Sequence, residues 1–137
     1  MRYTVELPHD VNSIPDARRA LDRVRADLDD LTLRNARLLV SELVTNVVRH
    51  VEPANDDDRI CLTIERGGDR LRIEVCDNGD GFRPAPRADQ QDAASGWGLH
   101  ILAQLAARWG VESGDGTRVW FELETSDERA DAQLAAH

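Results

Sequence analysis

The segment that most constrains the fold is RICLTIERGGDRLRIEVCD, residues 59–77, in which two alternating runs flank a glycine pair. Strand side chains alternate between the two faces of a sheet, and Gly-Gly between such runs favours a type I′ hairpin turn. With Gly67-Gly68 as the turn, apolar residues pair across the strands: Ile64 with Leu71, Leu62 with Ile73 and Ile60 with Val75. All of them share one face, so the sequence predicts a sheet covered by helices on that face.

The same register decides what the two cysteines can do. Polar side chains occupy the opposite face, where Glu65 is predicted to lie opposite Arg70. Cys61 falls opposite Glu74, and Cys76 becomes a diagonal neighbour that is too distant for easy bridging. The cysteines are therefore interpreted as free thiols in a reducing compartment.

Two helices are predicted before the hairpin. Residues 12–28 have Ser13 as N-cap, Pro15 in the first turn and Asp16 completing a capping box. The second helix runs from about residue 31 to residue 50, because apolar residues recur at a spacing of three and four: Val40, Leu43, Val44, Val47 and Val51.

The remaining segments complete an alternation of strands and helices. Residues 2–7 alternate as a first strand, and residues 81–98 form a long loop rich in Gly, Pro, Ala and Asp. Helical spacing predicts a third helix over residues 98–110, with Gly110 as its C-terminal stop. Residues 117–124 read as a last strand.

Composition limits the function classes. A chain of 137 residues predicts one domain, residues 1–125, followed by a polar tail, residues 126–137. A net charge of −9 argues against direct nucleic-acid binding. No apolar run or leader predicts membrane insertion or export, so we expect a cytoplasmic protein. There is no lysine among the 17 strongly basic residues, so bound phosphate must be held by arginine, metal or backbone amides.

Two polar motifs lie at the edge of the predicted core. Glu42 and Asn46 lie four residues apart at the edge of the apolar stripe. Asp77 ends the hairpin with the parity of its apolar residues, so we expect it to point toward the helices, where a carboxylate needs partners. Each motif also has an ordinary interpretation: a polar helix boundary for the first two residues, and an Asn-Gly or Asp-Gly turn after Asp77.

Glycines follow the hairpin and precede the third helix. Gly79 and Gly81 stand in DNGDG, and Gly96 and Gly98 stand in GWGLHI, followed by Leu99. Free amides at a helix N-terminus attract phosphate, and glycine lets a ligand approach the backbone. A single G-x-G segment is more commonly the end of a loop.

In this order and spacing, the motifs resemble the nucleotide site of the GHKL ATPase superfamily. The resemblance comprises E-x-x-x-N on a helix, D-x-G-x-G after a strand, G-x-G-L opening a helix and Gly116-Thr117 before the last strand. It covers roughly residues 32–124. The ending GWGLHILAQLAARWGV…GTRVWFEL is most similar to bacterial anti-sigma factor serine/threonine kinases. The resemblance implies a Bergerat α/β (α+β) fold: a two-layer sandwich with a mixed, mostly antiparallel sheet covered on one face by about three helices.

The resemblance also implies a role for each motif. Asn46 would coordinate Mg²⁺ that bridges the ATP phosphates, and Glu42 would be the general base for the attacking hydroxyl. Asp77 would accept a hydrogen bond from the adenine amino group, with Thr117 supporting it. The glycines and Leu99 would form the walls and lid of the ATP site.

Three functions follow from the resemblance. The first is an anti-sigma-factor-like regulator with serine/threonine kinase activity, whose partners are a sigma factor and an anti-anti-sigma protein, with homodimers also implied. The second is a binding module switched by ATP or ADP without phosphotransfer. The third is the catalytic domain of a sensor histidine kinase. A candidate base at Glu42 favours the first function over the second.

Overall fold

Alternating and helical apolar patterns produce most of the elements that the sequence predicts. The structure, a computed structural model, describes residues 1–50, 59–77, 100–114 and 116–125. Its elements in chain order are β1 (Arg2–Pro8), α1 (Ser13–Ala20), 3₁₀ turns at Leu21–Arg23 and Arg25–Asp27, α2 (Asp30–His50), β2 (Arg59–Gly67), β3 (Arg70–Asp77), α3 (residues 100–105), β4 (Arg108–Gly114) and β5 (Gly116–Glu124).

The strands form one five-stranded sheet in the order β1-β2-β3-β5-β4. Each neighbouring pair of described strands is antiparallel. The helices pack on one face, where α2 contacts β3 and β5. The predicted two-layer α+β fold is therefore confirmed.

The core lies between the helices and this face of the sheet. The predicted apolar stripe of α2 is buried at Val40, Leu43, Val44 and Val47, while Val51 lies outside the described residues. The sheet contributes the inward-facing residues of its three central strands: Ile60, Leu62, Ile64, Leu71, Ile73, Val75, Val119, Phe121 and Leu123. Burial of this apolar surface is the main force that holds the two layers together.

The predicted hairpin register is wrong by two residues. Gly67 pairs with Arg70, so Gly68 and Asp69 form the turn, and Ile64 pairs with Ile73 instead of Leu71. Gly68 has a φ of 56°, and no other described residue has a positive φ. Glycine at the first central position with negative φ at the second is the pattern of a type II′ turn. A two-residue shift leaves every side chain on its predicted face, so alternation alone could not detect it.

The corrected register changes the interpretation of the cysteines. Cys61 lies directly opposite Cys76 and not opposite Glu74, whose partner is Thr63. Both cysteines are free thiols and partly exposed. They lie on the face of the sheet that points away from the helices.

The third predicted helix ends earlier than its apolar spacing suggests. α3 stops at residue 105, and Arg108–Gly114 forms β4 at the sheet edge, where Trp109 pairs with Phe121. Gly110 is therefore not a helix stop. A Cβ atom at Gly110 would lie 2.7 Å from Nε1 of Trp120, so glycine makes room for this indole ring. The hydrogen-bonded pairing of this segment with β5 therefore prevails over its local apolar spacing, which is typical of a helix.

The first helix is capped differently from the prediction, and the second helix has a cap that was not predicted. Asn12 precedes α1 without a side-chain cap, and the Ser13 hydroxyl donates to the carbonyl of Pro8. At α2 the Asp29 carboxylate accepts hydrogen bonds from the Thr32 amide at 3.2 Å and the Thr32 hydroxyl at 2.6 Å. The Thr125 hydroxyl donates to the same carboxylate at 3.1 Å. Asp29 thus joins the start of α2 to the end of β5.

Charged residues cover the opposite face of the sheet. Arg72 pairs with Glu74 at 2.8 Å and with Glu122 at 3.4 Å. Its guanidinium carbon lies 4.3 Å from the centre of the Trp120 ring. The two Glu contacts outweigh desolvation and raise the pKa of Arg72. Among the described elements, no helix packs on this face, which we call the open face.

Candidate functional site

Helix α2 carries the first pair of predicted site residues. Glu42 and Asn46 lie one turn apart and are partly exposed, next to the buried Leu43 and Val47. No side-chain hydrogen bond or ion pair joins either residue to another residue within the described ranges. Their oxygen atoms are therefore not committed to a structural contact in this part of the chain.

Asp77 forms the second part of the site. It is the last residue of β3, its relative exposure is 2%, and it faces the helix layer as predicted. On one side it lies opposite Ile60, and on the other it lies opposite Thr117 of β5. A buried carboxylate at this position is a hydrogen-bond acceptor, which favours a ligand that donates an N–H group.

The sheet brings Asp77 and Thr117 together although they are forty residues apart in the chain. Directly opposed residues of an antiparallel pair have Cβ atoms about 4.5–5.5 Å apart and share one face. Helix α2 packs against these same two strands. The structure describes the backbone of Thr117, while its side chain is outside the description.

Several predicted site residues are not described. Gly79, Gly81, Gly96, Gly98 and Leu99 lie outside the described residues, as do the loop arginines at positions 83 and 87. Their assignment to the nucleotide site remains a prediction. The same holds for the predicted tail, residues 126–137.

The donor set suits a magnesium nucleotide. Magnesium is bound by oxygen, and in nucleotide sites it takes few protein ligands because phosphate and water supply the others. The carboxamide oxygen of Asn46 on the exposed edge of α2 fits such a role. Within the described ranges, no group of three or more His, Cys, Asp or Glu residues is placed to hold a metal without a nucleotide.

The structure has a concave surface that was not predicted from the sequence. A groove of about 1040 Å³ lies between α1, the 3₁₀ turns and α2. It does not include Glu42, Asn46 or Asp77; its charged lining is Arg18, Asp22, Arg25, Asp30, Arg34 and Arg37. Arg37 and Asp22 form an ion pair at 3.1 Å across it. The mixed Asp and Arg residues of DARRALDRVRAD were the available sequence signal.

The described helices can be compared with the prediction that no segment inserts into a membrane. Of the helical segments that the structure describes, none is both long and apolar enough to cross a membrane.

Known proteins and solved structures are similar to this chain, each over only part of its own length. The Sensor protein LytS of Streptococcus mutans serotype c is 30% identical over an alignment of 96 residues that covers 59% of this chain and 17% of LytS. The crystal structure of the RsbU and RsbW domains of Rv1364c from Mycobacterium tuberculosis has a TM-score of 0.72 at 20% identity, over 93% of this chain and 32% of that one. At that identity the likeness concerns the fold.

A third similarity is to the histidine kinase domain of the blue-light activated histidine kinase EL346 from Erythrobacter litoralis. Its TM-score is 0.55 at 25% identity, over 72% of this chain and 47% of that chain. The chain thus spans less than half the length of each of these proteins.

A match to a known protein family extends over most of the chain. The histidine kinase-like ATPase domain matches residues 7–123, a range that includes every predicted site residue. Domains of this family bind ATP, usually with Mg²⁺. The chain therefore belongs to the histidine kinase-like ATPase family.

Proposed function

We propose that this protein is an ATP-binding, anti-sigma-factor-like regulator that acts in the cytoplasm and phosphorylates a serine or threonine of an anti-anti-sigma protein. The observation that carries the proposal is the pairing of Asp77 with Thr117 beneath α2, the helix that bears Glu42 and Asn46. Helix α2 contacts both strands that carry this pair. The family match supports ATP as the nucleotide.

Each side chain has a distinct chemical task in this proposal. The Asp77 carboxylate accepts a hydrogen bond from the adenine amino group, supported by Thr117. Asn46 supplies an oxygen ligand to Mg²⁺, which neutralises charge on the ATP phosphates. Glu42 accepts the proton of the attacking hydroxyl, whose oxygen takes the γ-phosphoryl group while ADP leaves. The described geometry leaves the Glu42 carboxylate available for this proton transfer.

The similarity to the structure of the RsbU and RsbW domains extends over 93% of this chain and supports the fold on which the anti-sigma proposal rests. We propose a sigma factor and an anti-anti-sigma protein as partners, and a homodimer as the assembly. A net charge of −9 suits a basic, DNA-binding partner better than direct contact with DNA.

The similarity to LytS and to EL346 favours a second candidate, the catalytic domain of a sensor histidine kinase. In that function the same ATP site would serve a histidine phosphoacceptor. A third candidate is a protein-binding module whose affinity is set by ATP or ADP, without phosphotransfer.

Transfer of labelled phosphate separates these candidates. The full chain is incubated with γ-labelled Mg-ATP and either an anti-anti-sigma protein or a histidine-kinase phosphoacceptor domain, and the labelled amino acid is identified. We expect acid-stable phosphoserine or phosphothreonine. Acid-labile phosphohistidine would support the second candidate, and ATP binding without transfer to either acceptor would support the third.

A further inference from the structure

The open face carries two thiols in direct opposition. Cys61 on β2 and Cys76 on β3 are register partners, and both are partly exposed. The proposed nucleotide chemistry uses neither of them. The side chains of paired residues project from the same face of a sheet, so both sulfur atoms lie on the open face.

The hydrogen-bonding pattern of the sheet determines how far apart the Cα atoms of Cys61 and Cys76 lie. The Arg66 amide donates to the Met1 carbonyl at 2.9 Å, and the Met1 amine donates to the Arg66 carbonyl at 3.1 Å, so Arg66 is bonded toward β1. Successive residues of a strand bond to alternate neighbours, and the β2–β3 ladder has no break. Cys61, five residues before Arg66, is therefore bonded toward β3.

Cys61 and Cys76 thus form a hydrogen-bonded antiparallel pair, for which the Cα atoms lie about 5.5 Å apart. Disulfides span Cα distances of about 4.4–6.8 Å, most commonly near 5.5–6 Å. The Cβ atoms of opposed residues lie about 4.5–5.5 Å apart, toward the longer end for a hydrogen-bonded pair, and a disulfide needs about 3.5–4.5 Å, so they must approach by about 1 Å. The Cα atoms are therefore already at a separation that a disulfide spans, and closure requires only a local movement of the two strands.

The two sulfur atoms differ in their surroundings. Nε of Arg118 on β5 donates to Cys76 Sγ at 3.3 Å, a contact that raises the pKa of the Arg118 guanidinium. Burial raises the pKa of the Cys61 thiol, as do a charge on Cys76 and, less strongly, the carboxylates of Glu6 and Glu74. Glu112 also pairs with Arg118, at 3.4 Å, and Arg59 lies two residues before Cys61 on the same face.

We propose that Cys61 and Cys76 form a hydroperoxide-sensitive dithiol site that closes to an intramolecular disulfide. The Cys76 thiolate attacks one oxygen of hydrogen peroxide and breaks the O–O bond, which leaves a sulfenic acid on Cys76. The departing hydroxide takes up the proton that the Cys76 thiol had lost and leaves as water. Cys61 Sγ then attacks Cys76 Sγ, loses its proton, and displaces hydroxide, which leaves as a second water. The two thiols are oxidised by two electrons, and one peroxide is reduced to two waters.

Oxidation of the full reduced chain tests this site. The protein is treated with hydrogen peroxide, and thiol titration and intact mass are followed over time. We expect loss of both titratable thiols, a mass decrease of two hydrogen atoms, and a cross-linked peptide pair that contains Cys61 and Cys76. Dithiothreitol should restore both thiols. Retention of both thiols, a disulfide between two molecules, or separate oxidation of each sulfur would overturn the proposal.

A matched variant tests the geometry. Thr63→Cys combined with Cys61→Ser keeps the attacking Cys76 and a second thiol but makes them diagonal neighbours, about 7–8 Å apart, because residue 63 lies opposite Glu74. With folding verified by circular dichroism, this variant should close more slowly than the wild-type chain. Equal or faster closure would overturn the assignment of Cys61 and Cys76 as opposed residues.

The single variants test which thiol reacts first. In Cys61→Ser, a sulfenic acid should accumulate on Cys76 and be trapped by dimedone. In Cys76→Ser, trapping on Cys61 should be slower under the same conditions. The opposite order would overturn Cys76 as the attacking thiol. These assays do not use ATP, so their outcome is independent of the proposed kinase activity.

Discussion

Asp77 is the residue on which the proposed adenine contact depends. It ends β3 with 2% exposure and faces the helix layer. Asp77→Asn keeps the shape but removes the charge, so ATP and ADP binding should weaken by about 1–3 kcal/mol, as for a buried charged hydrogen bond. Isothermal titration calorimetry with Mg²⁺ measures the change.

Asp69→Asn is the matched control, because Asp69 is exposed in the β2–β3 turn. The affinity of the Asp69→Asn variant for nucleotide should equal that of the wild-type chain. If both variants bind ATP as the wild-type does, Asp77 does not contact adenine. If the folded wild-type chain binds neither ATP nor ADP, the proposed site itself is wrong.

Glu42 and Asn46 share a helix edge but have different proposed tasks. Glu42→Ala should slow phosphotransfer by about 10²–10⁴-fold and leave ATP affinity nearly unchanged, since a general base acts on the transition state. Asn46→Ala should weaken Mg-ATP binding as well as transfer, because a metal ligand acts already in the bound state. Omitting Mg²⁺ should shrink the affinity loss of Asn46→Ala.

Ser41→Ala provides a control on the same helix, since Ser41 lines the α1–α2 groove on the other side. It should change neither transfer nor affinity. Folded Glu42→Ala protein that transfers phosphate at the wild-type rate would remove the general-base role. It would also remove the main reason to prefer a kinase over a nucleotide-switched module.

At the scale of secondary structure, the N-terminus of α2 depends on Asp29. Its carboxylate accepts from the Thr32 amide and from the Thr125 hydroxyl, and so joins the helix to the end of β5. Asp29→Ala should lower the free energy of unfolding by about 0.5–2 kcal/mol, the range for losing an N-cap. Urea denaturation monitored by circular dichroism provides the measurement.

Asp30→Ala is the comparison for this cap. It also removes a carboxylate from the first turn of α2, and hence a similar favourable interaction with the helix dipole. The Asp29 variant should be the less stable of the two. Equal losses would mean that the capping hydrogen bonds add nothing beyond the charge.

The edge strand β4 depends on a glycine. A Cβ atom at Gly110 would lie 2.7–2.8 Å from atoms of the Trp120 ring, which also stacks beneath Arg72. Gly110→Ala should therefore destabilise the protein by about 1–3 kcal/mol through overpacking. Gly67→Ala, where a Cβ meets no atom within 4 Å, should stay within about 0.5 kcal/mol of the wild type. Urea midpoints of the two variants test this difference, and equal stabilities would contradict it.

At the scale of the whole molecule, the strand order creates the site. β5 lies between β3 and β4, so Thr117 comes to lie beside Asp77, and α2 covers both strands. None of these neighbours is close in the chain. The proposed nucleotide site is therefore a property of the assembled sheet, and mutations that loosen β5 should affect nucleotide binding even far from the ligand.

The sequence alone was sufficient for the face of each hairpin residue and for the apolar stripe of α2. Period-two alternation placed Asp77 on the helix side, and three-and-four spacing buried Val40, Val44 and Val47. Local periodicity determines these features, because each depends only on the direction of successive side chains. The family motifs added the expected fold, which the sheet topology confirms.

Tertiary structure decided the pairing partners. The hairpin alternation is equally satisfied when the register shifts by two residues, so only the turn at Gly68 and the pairing with β1 and β5 select Cys76 as the partner of Cys61. The segment around Trp109 and Gly110 fits a helix by spacing but becomes a strand, because the edge of β5 offers hydrogen bonds and the Trp120 ring needs room. Periodicity identifies the face a residue occupies; only long-range contacts determine which residue lies opposite it.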